Sequence, residues 1–126
     1  MITVSALTKR YGARLAVSDM SFDVAAGRVT GFVGPNGAGK STTMRMMVGL
    51  TRPDAGDVRY HGVSYTQLLH PTRVVGSVLD AGNRHPGRTA RNHLLAMAAL
   101  SNIPARRVDE VLHEVGLDTA ADQRAG

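Results

Sequence analysis

The chain has no cysteine and no tryptophan among its 126 residues, and only three tyrosines and two phenylalanines. Without cysteine there is no disulfide framework and no thiol chemistry. Lysine is almost missing as well: the 15 basic residues are 13 arginines with only Lys9 and Lys40 beside them. A net charge of +5 admits a polyanionic partner. The arginines are scattered, however, with no basic run longer than two residues and no interleaved aromatics, so no nucleic-acid partner is expected. Long apolar runs are also lacking. The longest, Leu94 to Leu100, has seven residues, far short of the roughly 20 that cross a bilayer as a helix. Met1-Ile2-Thr3-Val4-Ser5 lacks the charged-then-apolar order of a secretory signal. A cytoplasmic protein is expected, with any membrane association made through a partner. At 43% hydrophobic and 20% charged, the composition is that of a globular fold.

What is present is concentrated between Gly34 and Thr42. The stretch Gly34-Pro35-Asn36-Gly37-Ala38-Gly39-Lys40-Ser41-Thr42 satisfies the pattern G-x-x-x-x-G-K-[ST]. An apolar run, Val29 to Val33, leads into it, and Ser41 to Leu50 reads as a helix behind it. Holding a triphosphate requires many backbone N–H groups to turn inward around a concave nest. Gly34, Gly37 and Gly39 are expected to supply the φ values and close approach this needs. The helix start near Lys40 adds unsatisfied N–H groups and the positive end of its dipole. Lys40 then brings a mobile charge to the β- and γ-phosphates, and the Ser41 hydroxyl is a ligand for Mg²⁺.

In chain order, Met1 to Leu7 and Leu15 to Val24 read as strands around a turn at Tyr11-Gly12. Met20, Phe22 and Val24 fall on one face of the second strand, with Ser21 and Asp23 on the other. Val29 to Val33 reads as a strand covered on both faces. The methionines after Lys40, with Val48 and Leu50, read as core, and Gly49 and Pro53 close that helix. Asp54-Ala55-Gly56 reads as a turn, Asp57 to Tyr60 as a strand, and Thr66 to Leu69 as a helical turn before Pro71. Val74 to Leu79 is expected to be a second buried strand. Thr89 is placed to cap a helix ending near Leu100, and Pro104 to begin another. In that helix Val108, Val111, Leu112 and Val115 share a face, and Gly116 ends it. Leu117 to Gly126 has no evident anchor.

Hydrolysis asks for more than this loop, because a second carboxylate must hold Mg²⁺ and another residue must orient the attacking water. The only Asp-Glu pair, Asp109-Glu110, sits in the last amphipathic helix and reads as a solvated face. His85 and His93 do not converge with further ligands as a metal site requires. A parallel sheet also needs more paired strands than the chain offers. The expected fold is therefore α/β, a P-loop NTPase core with an N-terminal antiparallel β layer and the start of an α-helical subdomain, incomplete. Residues 1–126 are expected to be the N-terminal part of one larger domain.

Gly34 to Thr42, with Gly49-Leu50 and Pro53-Asp54-Ala55-Gly56 after it, resembles the ATP-binding subunit of ABC transporters. Leu7-Thr8-Lys9-Arg10-Tyr11-Gly12 resembles that family's adenine-stacking loop, and Tyr11 stands 23 positions before Gly34. Leu79 to Leu94 is similar to actinobacterial subunits of the multidrug or antibiotic-export type. The resemblance covers the whole chain. It implies a site for ATP and Mg²⁺ built on Tyr11 and the residues from Gly34 to Thr42. It also implies a transmembrane permease partner, a second ATP-binding subunit as dimer mate, and a place at the inner face of the cell membrane. Most of the family would carry a Mg²⁺-contacting glutamine at position 80. Here it is Asp80, shorter and charged, and its metal role stays open. The signature loop, the aspartate-glutamate strand and the switch histidine are expected beyond Gly126, so the chain by itself is expected to turn over little ATP. The competing readings are a non-catalytic nucleotide-binding remnant or regulator, and another P-loop NTPase or kinase. A kinase has no need of Tyr11 and the leading hairpin.

Overall fold

The computed structural model describes residues 1–79 and 87–124, which divide into two units, Met1–Leu79 and Asp80–Gly126. The first is organised by an antiparallel hairpin, β1 (Ile2–Tyr11) and β2 (Arg14–Val24), joined at Gly12-Ala13. Gly12 has φ +56°, the positive value that a tight hairpin turn asks of its first central residue. Beyond α1 (Lys40–Met47), β3 (Ala55–Tyr60) adds to the other edge of β1 and β4 (Val63–Ser64) follows it. The sheet order is β2-β1-β3-β4, antiparallel throughout. The last turn, His61-Gly62, has positive φ at both residues.

Simple alternation fails in β1 for a local reason. The register slips between Val4 and Leu7, with Ala6 at φ +49°, and again between Leu7 and Lys9, with Asp19 of β2 at φ +45°. Such a bulge resets which face the side chains point to, so Val4 and Leu7, an odd number of residues apart, are both buried. Hydroxyls on the facing strand satisfy the displaced amides. The Ala6 N–H donates to Ser21 Oγ at 2.8 Å and the Asp19 N–H to Thr8 Oγ1 at 3.0 Å. Val4, Leu7, Val17, Met46, Val58 and Tyr60 form the core, each aliphatic side chain contributing about 1.5–3 kcal/mol by leaving water. Burial raises the Tyr60 phenol above its usual value, and its hydroxyl donates to the Met47 carbonyl at 2.8 Å, tying α1 to the sheet.

Gly56 crosses this bulge so closely that a Cβ there would collide with the Ser5 and Ala6 carbonyl oxygens, and its φ is +79°. Gly56→Ala is therefore expected to destabilise the first unit by about 2 kcal/mol or more. A denaturant midpoint within error of the wild type would contradict this.

Three expectations are corrected in this unit. Val29 to Val33 is not a strand: it has no regular structure, and Val29 and Val33 are exposed. An apolar run becomes a strand only where a partner completes its ladder, and no described residue pairs with it. Phe32 alone finds a neighbour, stacking on Phe22 at 5.5 Å between ring centroids. Val74 to Leu79 is not a strand either. Pro71 opens a one-turn helix, α2 (Pro71–Val74), and Val75 to Leu79 continues without regular structure. Finally, α1 stops at Met47, short of Leu50. Gly49, at φ +72°, donates to the Met46 carbonyl and Leu50 to that of Arg45, so the helix closes in a Schellman turn. Met46 is buried and Met47 half-buried, whereas Met44 and Leu50 are exposed and do not belong to the core.

The second unit is a helical pair, α3 (Ala90–Leu100) and α4 (Arg106–Glu114), around Ala98, Val108, Leu112 and Ala121. The α4 stripe is observed, with Val108 and Leu112 buried, Val111 half-buried and Val115 exposed at its end. Pro104 lies two residues before the helix rather than at its first position. Asp109 and Glu110 are exposed and paired with arginines, Asp109 with Arg91 at 2.7 Å and Glu110 with Arg107 at 3.1 Å. The expectation that Leu117 to Gly126 lacks an anchor fails through Arg124. Ala121 is core, and the Gln123 and Ala121 carbonyls accept from Ala90 and Arg91 at 3.2 and 2.9 Å. Together with Thr89 Oγ1, which accepts from Asn92 at 3.1 Å, they satisfy every orphan amide in the first turn of α3.

Candidate functional site

The start of α1 is left open where that of α3 is closed. The Thr43 N–H makes the first helical bond, to the Gly39 carbonyl at 2.8 Å. The N–H groups of Lys40, Ser41 and Thr42 precede it and have no intrahelical acceptor. Gly37 and Gly39 adopt φ +81° and +86°, which turns the loop back over this helix end. Gly34 lies outside the left-handed region, so its expected role in providing an unusual φ is not observed. A Cβ at Gly34 would meet only ordinary contacts, Ala38 Cβ at 3.6 Å and Lys40 Cδ at 3.9 Å. Thr43 is fully buried, its hydroxyl donating to the Gly39 carbonyl at 3.0 Å, and so fastens the helix start from below.

These groups line a cavity of about 390 Å³. One wall is Asn36, Gly37 and Gly39 with Lys40, Ser41 and Thr42; the other is the hairpin end, with Tyr11, Arg14 and Ala16. Of the residues singled out in the sequence, Gly34, Pro35 and Ala38 are not among those that line it. The first two hold the lysine: Lys40 Nζ donates to the Gly34 carbonyl at 2.6 Å and to that of Pro35 at 2.7 Å. An ammonium has three donors, so one remains for a ligand. The Ser41 hydroxyl makes no hydrogen bond to any described residue and lines the cavity, as a metal ligand must. Asp80 and His85 lie outside the described residues. His93 Nδ1 is shielded from solvent without a hydrogen-bond partner among them, and no group of three His, Asp or Glu side chains converges there.

Arg14 was not foreseen. In the β1–β2 register it stands directly across from Tyr11, and its guanidinium Nη2 comes within 3.4 Å of where a Gly37 Cβ would lie. The signal was available in the two-residue turn, which places the residues on either side of it opposite one another. Lys40 and Arg14 thus both line a cavity that no described carboxylate lines. A second cavity, about 630 Å³, is bounded by Met46, Arg52, Asp54, Asp57 and Tyr65. Two carboxylates on its wall make it a poor seat for a polyanion despite its greater volume.

Tyr11 is held from beneath. Asp54 accepts from the Arg10 N–H at 2.6 Å and from Lys9 Nζ at 3.1 Å, and Lys9 Nζ lies 5.5 Å from the Tyr11 ring centroid. The Arg10 amide, then the Lys9 ammonium, hold the Asp54 carboxyl below its ordinary value of 3.8. A lowered carboxyl contributes stability fully above pH 3.8 and loses it as pH falls through the depressed value, so this clip is intact at neutral pH.

A family model described as ABC transporter matches residues 17–126. The bacitracin transport ATP-binding protein BcrA of Bacillus licheniformis is 34% identical over 128 residues, which cover 100% of this chain and 42% of that protein. A Nod factor export ATP-binding protein I of Burkholderia lata is 37% identical over 123 residues, covering 94% of this chain and 40% of that protein. The chain spans about two fifths of the length of these curated relatives. Among solved structures, a dimeric ATP-binding cassette in a post-hydrolysis state with ADP and Pi superposes with a TM-score of 0.80. That match has 21% identity and covers 99% of this chain and 62% of the other. An ATP-binding subunit of an ABC transporter gives 0.72 at 24% identity, covering 98% of this chain and 53% of that one. At these identities the structural likeness is one of fold.

Proposed function

The chain belongs to the ABC transporter family, and on that premise we propose that it is the nucleotide-binding part of a transport ATPase, seating Mg-ATP between Tyr11 and the Gly34–Thr42 loop. The observation that carries the reading is the cavity itself. It joins open helix amides, a glycine nest and two cations, with no described carboxylate on its wall. The N–H groups of Gly37, Gly39, Lys40, Ser41 and Thr42 cradle the phosphates, and Lys40 carries the charge that stabilises the β- and γ-phosphates as the bond between them breaks. Gly34, Pro35 and Ala38 shape the loop and seat the lysine. Ser41 would hold Mg²⁺, which neutralises phosphate charge when bound. Asp80 remains a candidate second ligand, since a carboxylate oxygen suits that ion.

The relatives' names, bacitracin transport and Nod factor export, support an exporter. The partners would then be a membrane permease and a second ATP-binding subunit, the latter in keeping with the dimeric state of a protein of the same fold. No helix among the described residues is long and apolar enough to cross a membrane, which fits attachment to the inner face through the permease. Residues 1–126 would be the front of a single ATP-binding domain, its signature loop, aspartate-glutamate strand with a further Mg²⁺ carboxylate, and switch histidine contributed by further sequence. These residues alone would bind nucleotide with little turnover, since hydrolysis also needs that carboxylate and a water-orienting group.

Tyr11 supplies the test of nucleotide over bare phosphate. Its ring is half-exposed at the cavity wall and free to stack on a purine. Tyr11→Ala is expected to weaken Mg-ATP by about 10-fold while leaving inorganic triphosphate nearly unchanged, measured by calorimetry. Equal weakening of both ligands would remove the stacking role.

A further inference from the structure

The aromatic ring at this site is not simply the end of a strand. Tyr11 is the last residue of β1, where strands fray, and its side chain is about half exposed. A stacking platform that wanders loses most of its worth, because the ring must be ordered each time a base arrives. Something has to hold it, and the covering neighbours are polar.

Lys9 is the unusual member. Its side chain is only 15% exposed, low for a lysine, and its ammonium has three neighbours. It donates to the Arg52 carbonyl at 2.8 Å and to Asp54 Oδ1 at 3.1 Å, and it stands 5.5 Å from the Tyr11 ring centroid. Asp54 does two things at once. Its second oxygen accepts from the Arg10 N–H at 2.6 Å, and its own N–H donates to the Thr8 carbonyl at 2.9 Å. The turn that carries Asp54 therefore grips β1 at Thr8, Lys9 and Arg10, the three residues leading into Tyr11. No other described carboxylate takes part.

We propose that Asp54, acting through Lys9, is a positioning residue for Tyr11, fixing the ring at the cavity wall and so setting how much the nucleobase contributes to binding. The inference rests on the reading that Tyr11 stacks on the base. Asp54 also bounds the larger neighbouring cavity, so the clip lies between the two cavities without lining the first.

The test is a double-mutant cycle in the full chain, read by calorimetric affinity for Mg-ATP and for inorganic triphosphate with Mg²⁺. Asp54→Ala is expected to weaken ATP about 3- to 10-fold and triphosphate less than about 2-fold. In a Tyr11→Ala background the same change is expected to have no further effect, because the residue acts through the ring. Lys9→Met, which keeps the covered stem and removes the ammonium, is expected to behave alike. If Tyr11→Ala discriminates ATP from triphosphate but Asp54→Ala leaves ATP affinity unchanged, weakens both ligands alike, or adds fully to Tyr11→Ala, the positioning role is overturned and the stacking role stands. If Tyr11→Ala itself fails to discriminate, the stacking reading falls and the positioning role with it.

Discussion

Lys40→Ala is expected to lower the ATPase turnover of the whole protein by about 10²–10³-fold, the scale of losing one preorganised group from a transition-state site. The geometry makes the loss severe. The ammonium sits 2.6 and 2.7 Å from the Gly34 and Pro35 carbonyls, and its positive charge is what permits those two oxygens to lie beside a phosphate chain. Alanine takes the ammonium donor from both oxygens, leaving Pro35 only its bond from the Ala38 N–H at 3.2 Å, and removes the counter-charge with it. The other cation on the wall, Arg14, is carried by the hairpin with its guanidinium beside Gly37, not at the Gly34 and Pro35 carbonyls that hold the lysine. Turnover is read as phosphate release at saturating Mg-ATP, and a rate equal to wild type would contradict Lys40's place in the chemistry.

Gly39→Ala is expected to abolish measurable ATP binding by the chain and to cost about 2–4 kcal/mol of stability. Gly39 has φ +86°, a conformation in which a side chain is strained, and it caps α1 without any side-chain bond of its own. A Cβ would collide with the Ala16 carbonyl oxygen and come within 2.9 Å of Val17 Cγ2. Retreat is limited on both sides, because Val17 is core and Ala16 lies within β2 between Leu15 and Val17, both paired to β1. The loop would have to lift from the hairpin, and the two walls of the cavity would part. Binding titration and a denaturant midpoint check both halves of this prediction. Normal affinity in a folded variant would show that the close approach is dispensable.

Features set by neighbours along the chain were legible in the sequence. The motif from Gly34 to Thr42, a turn at Gly12 (expected one residue early, at Tyr11-Gly12), the face shared by Met20, Phe22 and Val24, the Thr89 cap and the α4 stripe all depend on residues a few positions apart. The strands proposed for Val29 to Val33 and Val74 to Leu79 were not legible, because hydrophobicity marks what a segment can bury and the ladder partner is set elsewhere. The irregularities at Ala6 and Asp19 escaped for a similar reason. Their stabilising hydroxyls, Ser21 and Thr8, lie across the hairpin. The closing of α3 by Ala121 and Gln123 joins segments some 30 residues apart, and no local pattern announces it. At the site, the phosphate loop was readable as a string. The clip from Asp54 through Lys9 to Tyr11 was not, since it needs the antiparallel pairing of β1 with β3 to bring the turn alongside.

The most direct test is backbone amide chemical-shift mapping of the chain titrated with Mg-ATP. Saturable changes centred on Gly37, Gly39, Lys40, Ser41 and Thr42, with Tyr11 and Arg14 on the facing wall, are the expected result. Absence of saturation, or changes centred on the larger cavity around Arg52, Asp57 and Tyr65 with the loop unmoved, would contradict a nucleotide site built on this loop.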